Sequence, residues 1–287
     1  MILRISWILC YHMRFIHLGI SLKLRGWISK SIKKQIQGDS YSDSLILIQV
    51  TAYNSANTIQ DAIESLIQQT YSNWVAVVFN DGSTDDTSRI LNKLARQDKR
   101  VRVVSTKVNV GVNRARNEIL KASEDIPWSV MTVLDSDDVA EPYFLADGLE
   151  LLQKGAKVVR CTNERWDSGL KKKHHTFLAC AQVFVRREDV ELLGFYRLKP
   201  FTADDDFMER LEKLAVLTSG VVCHSLRSLQ KMRVHRNNLS KTKGSAEREK
   251  YEAKSRRMTR RAWSVEALHV GYECDSISGE EGEIHAV

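Results

Sequence analysis

The chain has 287 residues, of which 43% are apolar and 28% charged, with only 3 Pro and 14 Gly. This composition excludes a disordered, collagen-like or fibrous protein, and the length can bury one large core or two modest ones. Five scattered cysteines, an odd number without metal-ligand spacing, predict a reduced protein of the cytoplasm with no disulfide framework.

The net charge of +7 lies mostly at the two ends of the chain. Residues 1–38 contain seven basic and no acidic residues, and residues 241–261 contain nine basic and three acidic ones. We expect residues 1–43 to form a basic amphipathic extension and residues 241–287 a charged helical tail. Basic, aromatic-rich segments favour anionic surfaces, so residues 1–38 could contact a membrane peripherally. The alternative is a helix packed on the main domain or a poorly ordered tail.

No leading segment resembles a membrane span or a signal peptide. Arg4, His12, Arg14 and His17 interrupt the apolar residues at the start of the chain, and no small-residue cleavage site follows them.

Short apolar runs of strand length alternate with segments of helical period through the middle of the chain. The runs are 45–50, 75–79, 101–104 and 130–134. The segments between them predict three helices. The first has a cap at Asn57 or Thr58 and the apolar residues Ile59, Ile63, Leu66 and Ile67. The second has a cap at Ser83 or Thr84 and an inner face with Ile90, Leu91 and Leu94, and the third lies near 112–122. This alternation predicts an α/β fold with a mainly parallel sheet and helices on both faces. Residues 140–200 carry no readable code for the choice of substrate, and His174-His175 are interpreted as a loop.

Polar clusters follow three of these runs, at the strand ends where such sheets bind ligands. They are Thr51, Asn80-Asp81 and the segment 135–138. Neither a Walker-type loop nor a Gly-x-Gly-x-x-Gly fingerprint is present, so phosphates need another partner. Asp135, Asp137 and Asp138 repel one another unless a hard cation such as Mg²⁺ or Mn²⁺ neutralises them.

Seven motifs in order carry a family resemblance. They are Thr51-Ala52-Tyr53-Asn54 with Thr58-Ile59 and 65–74, Asn80-Asp81-Gly82-Ser83-Thr84-Asp85, Asn109-Val110-Gly111 with Ala115-Arg116-Asn117, Asp135-Ser136-Asp137-Asp138, Val185-Arg186-Arg187 with Gly194-Phe195, Asp204-Asp205-Asp206-Phe207 with Arg210, and Arg233-Val234-His235 with Asn238 and Ser240. With these motifs, residues 45–240 resemble the family 2 glycosyltransferases, nucleotide-sugar enzymes with the Rossmann-like GT-A fold.

The resemblance implies a role for each matching position. Asp81 would bind the nucleobase beside Thr51, Asp135 would face the ribose, and Arg114 or Arg116 would lie near the nucleotide. Asp137 with Asp138 would hold Mn²⁺ or Mg²⁺, with His235 as a further candidate ligand, and Arg233 or Arg236 could meet the diphosphate. Asp204 would be the general base.

Two positions depart from the family pattern. Asn80 replaces an Asp, although an amide can still bond the backbone of the turn. Ala203 replaces a Glu, which leaves open which of Asp204, Asp205 and Asp206 is the base, with Asp204 favoured. Asp206 and Arg210 are four residues apart and could pair along a helix surface.

The sequence thus predicts a GT-A domain at 44–240, with a nucleotide-binding half at 44–138 and an acceptor half at 139–240. The resemblance implies a metal-dependent inverting enzyme that transfers a sugar from a nucleoside-diphosphate sugar to a carbohydrate or lipid-linked acceptor in polysaccharide or glycoconjugate synthesis. One alternative keeps this chemistry but uses a nucleic-acid acceptor held by 241–261. Another is a binding module without turnover.

Overall fold

The structure is a computed structural model that describes residues 43–198, 203–234, 268–270 and 285–286, without the side chains of 179–181, 203–205 and 285–286. These residues all belong to one compact unit of the chain, Tyr41–Val287. The predicted N-terminal extension, most of the predicted C-terminal tail, and His235 lie outside the described residues.

Six helices and nine strands make up the described part of the chain. In chain order they are β1 (Ile46–Ala52), α1 (Ile59–Ile67), β2 (Trp74–Asp81), α2 (Thr87–Gln97), β3 (Val101–Thr106), α3 (Val112–Lys121), β4 (Val130–Val133), β5 (Val139–Ala140), α4 (Phe144–Gln153), β6 (Ala156–Asp167), β7 (Lys173–Arg186), α5 (Arg187–Leu193), α6 (Ala203–Leu217), β8 (Val221–Val234) and β9 (His285–Ala286). Among these residues, no helix is both long and apolar enough to cross a membrane.

The strands form a single sheet in the order β5-β8-β6-β7-β4-β1-β2-β3-β9. Strands β4, β1, β2 and β3 are parallel to one another, as the sequence predicts. Their carboxyl ends therefore lie at one edge of the sheet, where Thr51, Asp81 and the turn after β4 are found. The β7 strand joins β4 antiparallel and connects this parallel part to the longer strands β6 and β8.

Successive side chains of the central strands enter two different cores, one on each face of the sheet. Ile48 of β1 packs in the core that contains Leu66 of α1, whereas the adjacent Leu47 packs in the core that contains Ile119 of α3. Strand residues alternate between faces, so helices must cover both sides. Full burial of each such aliphatic side chain contributes about 1.5–3 kcal/mol.

Two local predictions are wrong. Helix α2 begins after Asp86, not after Ser83 or Thr84. Asp85 accepts hydrogen bonds from Thr87 (Oδ1 to backbone N, 3.0 Å) and from Ala56 (Oδ2 to backbone N, 3.1 Å), so the turn continues to that point. His174-His175 lie in β7 rather than in a loop, because Lys173–Arg186 pairs with β6.

The first helix begins after Thr58, one of its two predicted caps, but the Thr58 side chain makes no capping hydrogen bond. Of the three residues predicted on the inner face of α2, Leu91 and Leu94 are fully buried.

A segment from far along the chain pairs with the backbone that follows α5. Val270 donates its backbone N–H to the Leu193 carbonyl and accepts from the Phe195 N–H, both at 2.8 Å. Gly194, between them, has φ +68°, and a Cβ there would lie 2.1 Å from the Val270 carbonyl oxygen. Only glycine permits both this backbone conformation and this close approach.

Candidate active site

Direct hydrogen bonds join the turns that follow β1, β2 and β4. Asn54, in the left-handed region at φ +49°, accepts from the Thr84 N–H at 2.8 Å and donates its own N–H to Ser83 Oγ at 3.0 Å. The next residue, Ser55, shares a 2.8 Å hydroxyl–hydroxyl hydrogen bond with Ser136. The three polar turns of the sequence therefore form one connected rim.

Asp81, at the end of β2, is buried and anchors the loop before α3. Its Oδ1 accepts the Val110 N–H at 2.6 Å and its Oδ2 accepts the Gly111 N–H at 3.0 Å. Burial raises the pKa of this carboxyl, and the two backbone donors oppose that rise. A carboxylate oxygen has two acceptor sites, so these bonds leave capacity for a further donor.

The side-chain amide of Asn80 bonds the backbone of the turn that follows β2, as predicted. Asn80 Oδ1 accepts the Ser83 N–H at 3.4 Å, so the amide replaces the family's carboxylate in the turn. Thr51, near the end of β1, is partly exposed at the same rim.

Asp135 follows β4 and is held from two sides. Arg116 Nη2 lies 3.4 Å from its Oδ1, and Gln182 Nε2 donates to its Oδ2 at 3.0 Å. Burial raises the pKa of Asp135, the attraction of Arg116 lowers it, and repulsion from Asp137 raises it. Of the two candidate arginines, Arg116 reaches Asp135, whereas Arg114 Nε lies 3.9 Å from Glu118 Oε1.

Asp138 is fully buried, and only one of its two carboxylate oxygens has a hydrogen-bond donor among the described residues. Its Oδ1 accepts the Arg233 N–H at 2.9 Å, and no described residue donates to its Oδ2. Burial raises the pKa of Asp138 well above its ordinary value, and repulsion from Asp137 and Asp135 adds to the rise. A buried carboxylate oxygen without a partner is costly unless a proton or a cation satisfies it.

Arg233 ties the end of β8 to this acidic turn. Besides its backbone bond to Asp138, its Nη1 donates to the Asp137 carbonyl at 3.0 Å and its Nη2 to the Asp61 carboxylate of α1. The side chain of Arg233 is 5% exposed, so its guanidinium is engaged inside the protein. Among the described residues, no three His, Cys, Asp or Glu side chains form a complete metal cage.

The start of α6 packs against the same rim through α3. Asn113 of α3 donates to the Arg197 carbonyl at 3.3 Å, and Arg197 forms an ion pair with Asp206. Asp206 also pairs with Arg210 at 3.1 Å; the pair predicted for the helix surface is fully buried. The side chains of Asp204 and Asp205 are outside the described part, although their backbone lies in the first turn of α6.

Helix α3 thus contacts each acidic region. Gly111, the residue before α3, donates its N–H to Asp81. Arg116 contacts Asp135, and Asn113 donates to the Arg197 carbonyl in the segment before α6. Sequence reasoning missed Ser55 and Gln182 as residues that support the site, and it named Arg233 as a candidate partner of the diphosphate rather than as a support of the acidic turn. Only Arg233 stood in a motif, and no spacing pattern links the other two to their partners.

The sequence profile described as "Glycosyl transferase family 2" matches residues 48–216. The chain belongs to this family. A Haemophilus influenzae protein described as an uncharacterized glycosyltransferase is 36% identical over 110 residues, which are 38% of this chain and 33% of that protein. The chain therefore spans about a third of the length of that relative.

Solved structures show that this family 2 glycosyltransferase has the predicted GT-A fold. Staphylococcus aureus TarS 1–349 in complex with UDP-GlcNAc superposes with a TM-score of 0.60 at 18% identity, covering 72% of this chain and 63% of that one. The mannosyltransferase PcManGT of Pyrobaculum calidifontis, in complex with GDP-Man and Mn²⁺, gives 0.53 at 16% identity, covering 74% and 65%.

Proposed function

We propose that this family 2 glycosyltransferase moves a sugar from a nucleoside-diphosphate sugar to a hydroxyl of a carbohydrate or lipid-linked acceptor, with inversion, in polysaccharide or glycoconjugate synthesis. The observation that carries the proposal is the acidic turn after β4. Asp138 is buried there with one oxygen unshared by any described residue, beside Asp135 and Asp137. The TarS complex supports a nucleotide-sugar donor for this fold.

The residues of this turn fit a divalent cation. Carboxylate oxygens are hard ligands, and Mg²⁺ or Mn²⁺ in such sites uses one or two protein carboxylates together with substrate phosphates. We assign Asp137 and the unshared oxygen of Asp138 to the cation, with His235 as a further candidate. When bound, the cation offsets negative charge on the diphosphate leaving group.

The remaining side chains would bind and orient the donor. Asp81, already fixed by the loop before α3, would accept an N–H of the nucleobase, with Thr51 beside it. Asp135 would accept the ribose hydroxyls. Arg116 stabilises Asp135, and Arg114, at the start of the same helix, would lie nearer the nucleotide.

Asp204 is the proposed general base. It would take the proton of the acceptor hydroxyl while that oxygen attacks the anomeric carbon from the face opposite the diphosphate. The bond between the anomeric carbon and the diphosphate oxygen breaks, its electron pair goes to the diphosphate, and the anomeric centre is inverted. Positioned base catalysis contributes about 10²–10⁴ in rate.

A donor screen followed by a hydrolysis assay tests this function. Thermal shift with UDP-, GDP-, ADP- and dTDP-sugars, with and without Mn²⁺, identifies the donor, because a ligand of the native state raises its stability. We expect slow hydrolysis of that donor that requires Mn²⁺ and is lost in Asp137→Ala. Asp86→Ala, which changes an exposed carboxylate paired with Arg89, is the matched control and should hydrolyse like the wild type.

Each contrary result has a definite meaning. Binding of a nucleotide sugar without any turnover, with or without sugar acceptors, would indicate a binding module. Hydrolysis that persists in Asp137→Ala would remove the metal assignment.

A further inference from the structure

A buried glutamine of β7 contacts the acidic turn. The Gln182 side chain reaches from the acceptor half of the domain, and its Nε2 donates to Asp135 Oδ2 at 3.0 Å. Gln182 is 2% exposed. Together with Arg116 on Oδ1, it gives each oxygen of Asp135 its own donor.

A second buried amide fixes which way Gln182 faces. Asn163 of β6 places its Nδ2 3.5 Å from Gln182 Oε1. Because Gln182 Oε1 lies toward this donor, its NH₂ group is directed at Asp135. The hydrogen-bond chain Asn163–Gln182–Asp135 therefore runs from β6 through β7 to the end of β4.

We propose that Gln182 is a positioning residue for nucleotide binding: with Arg116 it holds the carboxylate plane of Asp135 in the orientation that receives the donor ribose, and Asn163 acts through Gln182. The proposal rests on the proposed function, in which Asp135 binds the nucleotide. Two donors on different oxygens restrain rotation of the carboxylate, whereas Arg116 alone, at 3.4 Å, restrains it more weakly.

Loss of this restraint should weaken nucleotide binding specifically. A binding group must be held close to its productive geometry by its supporting side chains. At metal ligands, loss of such support commonly costs about 10–100-fold in affinity. We expect Gln182→Met, which keeps the side-chain length and removes the amide, to bind nucleotide about tenfold more weakly than the wild type.

The matched control is Gln69→Met. Gln69 is also buried, and its amide donates to the Glu141 carbonyl at 2.7 Å and the Ser65 carbonyl at 3.0 Å, with no contact to Asp135. It should lower the melting temperature at least as much as Gln182→Met while leaving nucleotide affinity unchanged.

The measurement is calorimetric titration with whichever of UDP, GDP, ADP or dTDP binds the wild type, in Mn²⁺. Gln182→Glu keeps the shape but replaces the donor with an acceptor, and should bind more weakly still. Asn163→Ala, which touches neither Asp135 nor the nucleotide, should give an intermediate loss. The two additional variants keep the test decisive should Gln182→Met fail to fold.

Equal affinity of the folded Gln182 variants and Gln69→Met would overturn the proposal and leave the proposed function intact. A wild type that binds none of the four nucleotides in Mn²⁺ would instead overturn the proposed function, and this inference with it.

Discussion

Asp206 places one carboxylate oxygen on Arg197 and the other on Arg210, and it is fully buried. A carboxylate held in this way cannot approach an acceptor hydroxyl. Of the three consecutive aspartates at the start of α6, the structure therefore assigns the third to packing. Asp204 and Asp205 remain the candidates for the proposed base, and the family resemblance favours Asp204.

Substitution of the two remaining carboxylates should separate their roles. Asp204→Asn should lower the rate of sugar transfer or donor hydrolysis by about 10²–10⁴ and leave nucleotide affinity nearly unchanged, because a base acts on the acceptor proton. Asp205→Asn is the control and should keep most of the activity. Steady-state kinetics and calorimetry on both variants give the answer. A loss confined to Asp205→Asn would move the base by one residue, and full activity of both would remove it from α6.

The Asp206–Arg210 pair connects α6 to the segments that contain Leu193, Phe195 and Leu268. Arg210 Nη1 donates to the Leu193 carbonyl at 2.8 Å and the Leu268 carbonyl at 3.4 Å, and its Nη2 to the Phe195 carbonyl at 2.8 Å. Burial lowers the pKa of Arg210 to about 10, and the opposite charge of Asp206 offsets part of that effect. The guanidinium is thus a buried charge that depends on one carboxylate.

Asp206→Asn should destabilise the protein strongly. Removing one partner of a buried pair leaves an uncompensated charge, which costs about 3–5 kcal/mol. Asp86→Asn is the control, because its pair with Arg89 lies on the exposed surface of α2 and contributes little. Urea unfolding of both variants measures the difference. Similar midpoints for the two would contradict the role given to Arg210.

Periodicity was sufficient to predict β1 to β4 and the helices between them, because each strand is nearly continuous apolar sequence and each helix has one apolar face. It was insufficient for β6, β7 and β8. These strands carry polar residues on both faces, and register shifts at Arg160/Thr162 and Arg165/Trp166 break their alternation. Residues as polar as His174-His175 can pair in such strands because their side chains remain exposed.

The candidate site was predicted only as far as local motifs reach. Motifs located Asp81, Asp135 and Asp138, but not the bonds that hold them. Arg233 pairs with Asp61 across 172 positions, and Ser55 meets Ser136 across 81. Contacts of this kind are set by the tertiary fold, which places distant strand ends together, so no spacing in the sequence contains them.

At the scale of the whole molecule, the described C-terminal residues belong to the domain. Leu268 is fully buried in the core that contains Ile119 and Leu211, and His285–Ala286 pairs with β3. Deleting residues 268–287 should lower the melting temperature markedly, because it uncovers this core and removes both backbone bonds of Val270. Among the described residues, deleting 271–287 removes only the β9 pairing, so we expect a smaller effect. Equal melting temperatures for the full chain and the longer deletion would contradict this assignment.

The strand-like pairing of Gly194 with Val270 also orders events during protein synthesis. Residues 193–195 emerge from the ribosome well before residue 270, so the Leu193 and Phe195 backbone groups are made before their partner, Val270, is available. Exposed apolar surface and unpaired backbone in such intermediates favour aggregation. The pairing of residues 193–195 is therefore tied to translation of a segment that lies beyond the family 2 match. A chain shortened to end before residue 268 would retain Asp204 but would lack the backbone bonds that Val270 makes.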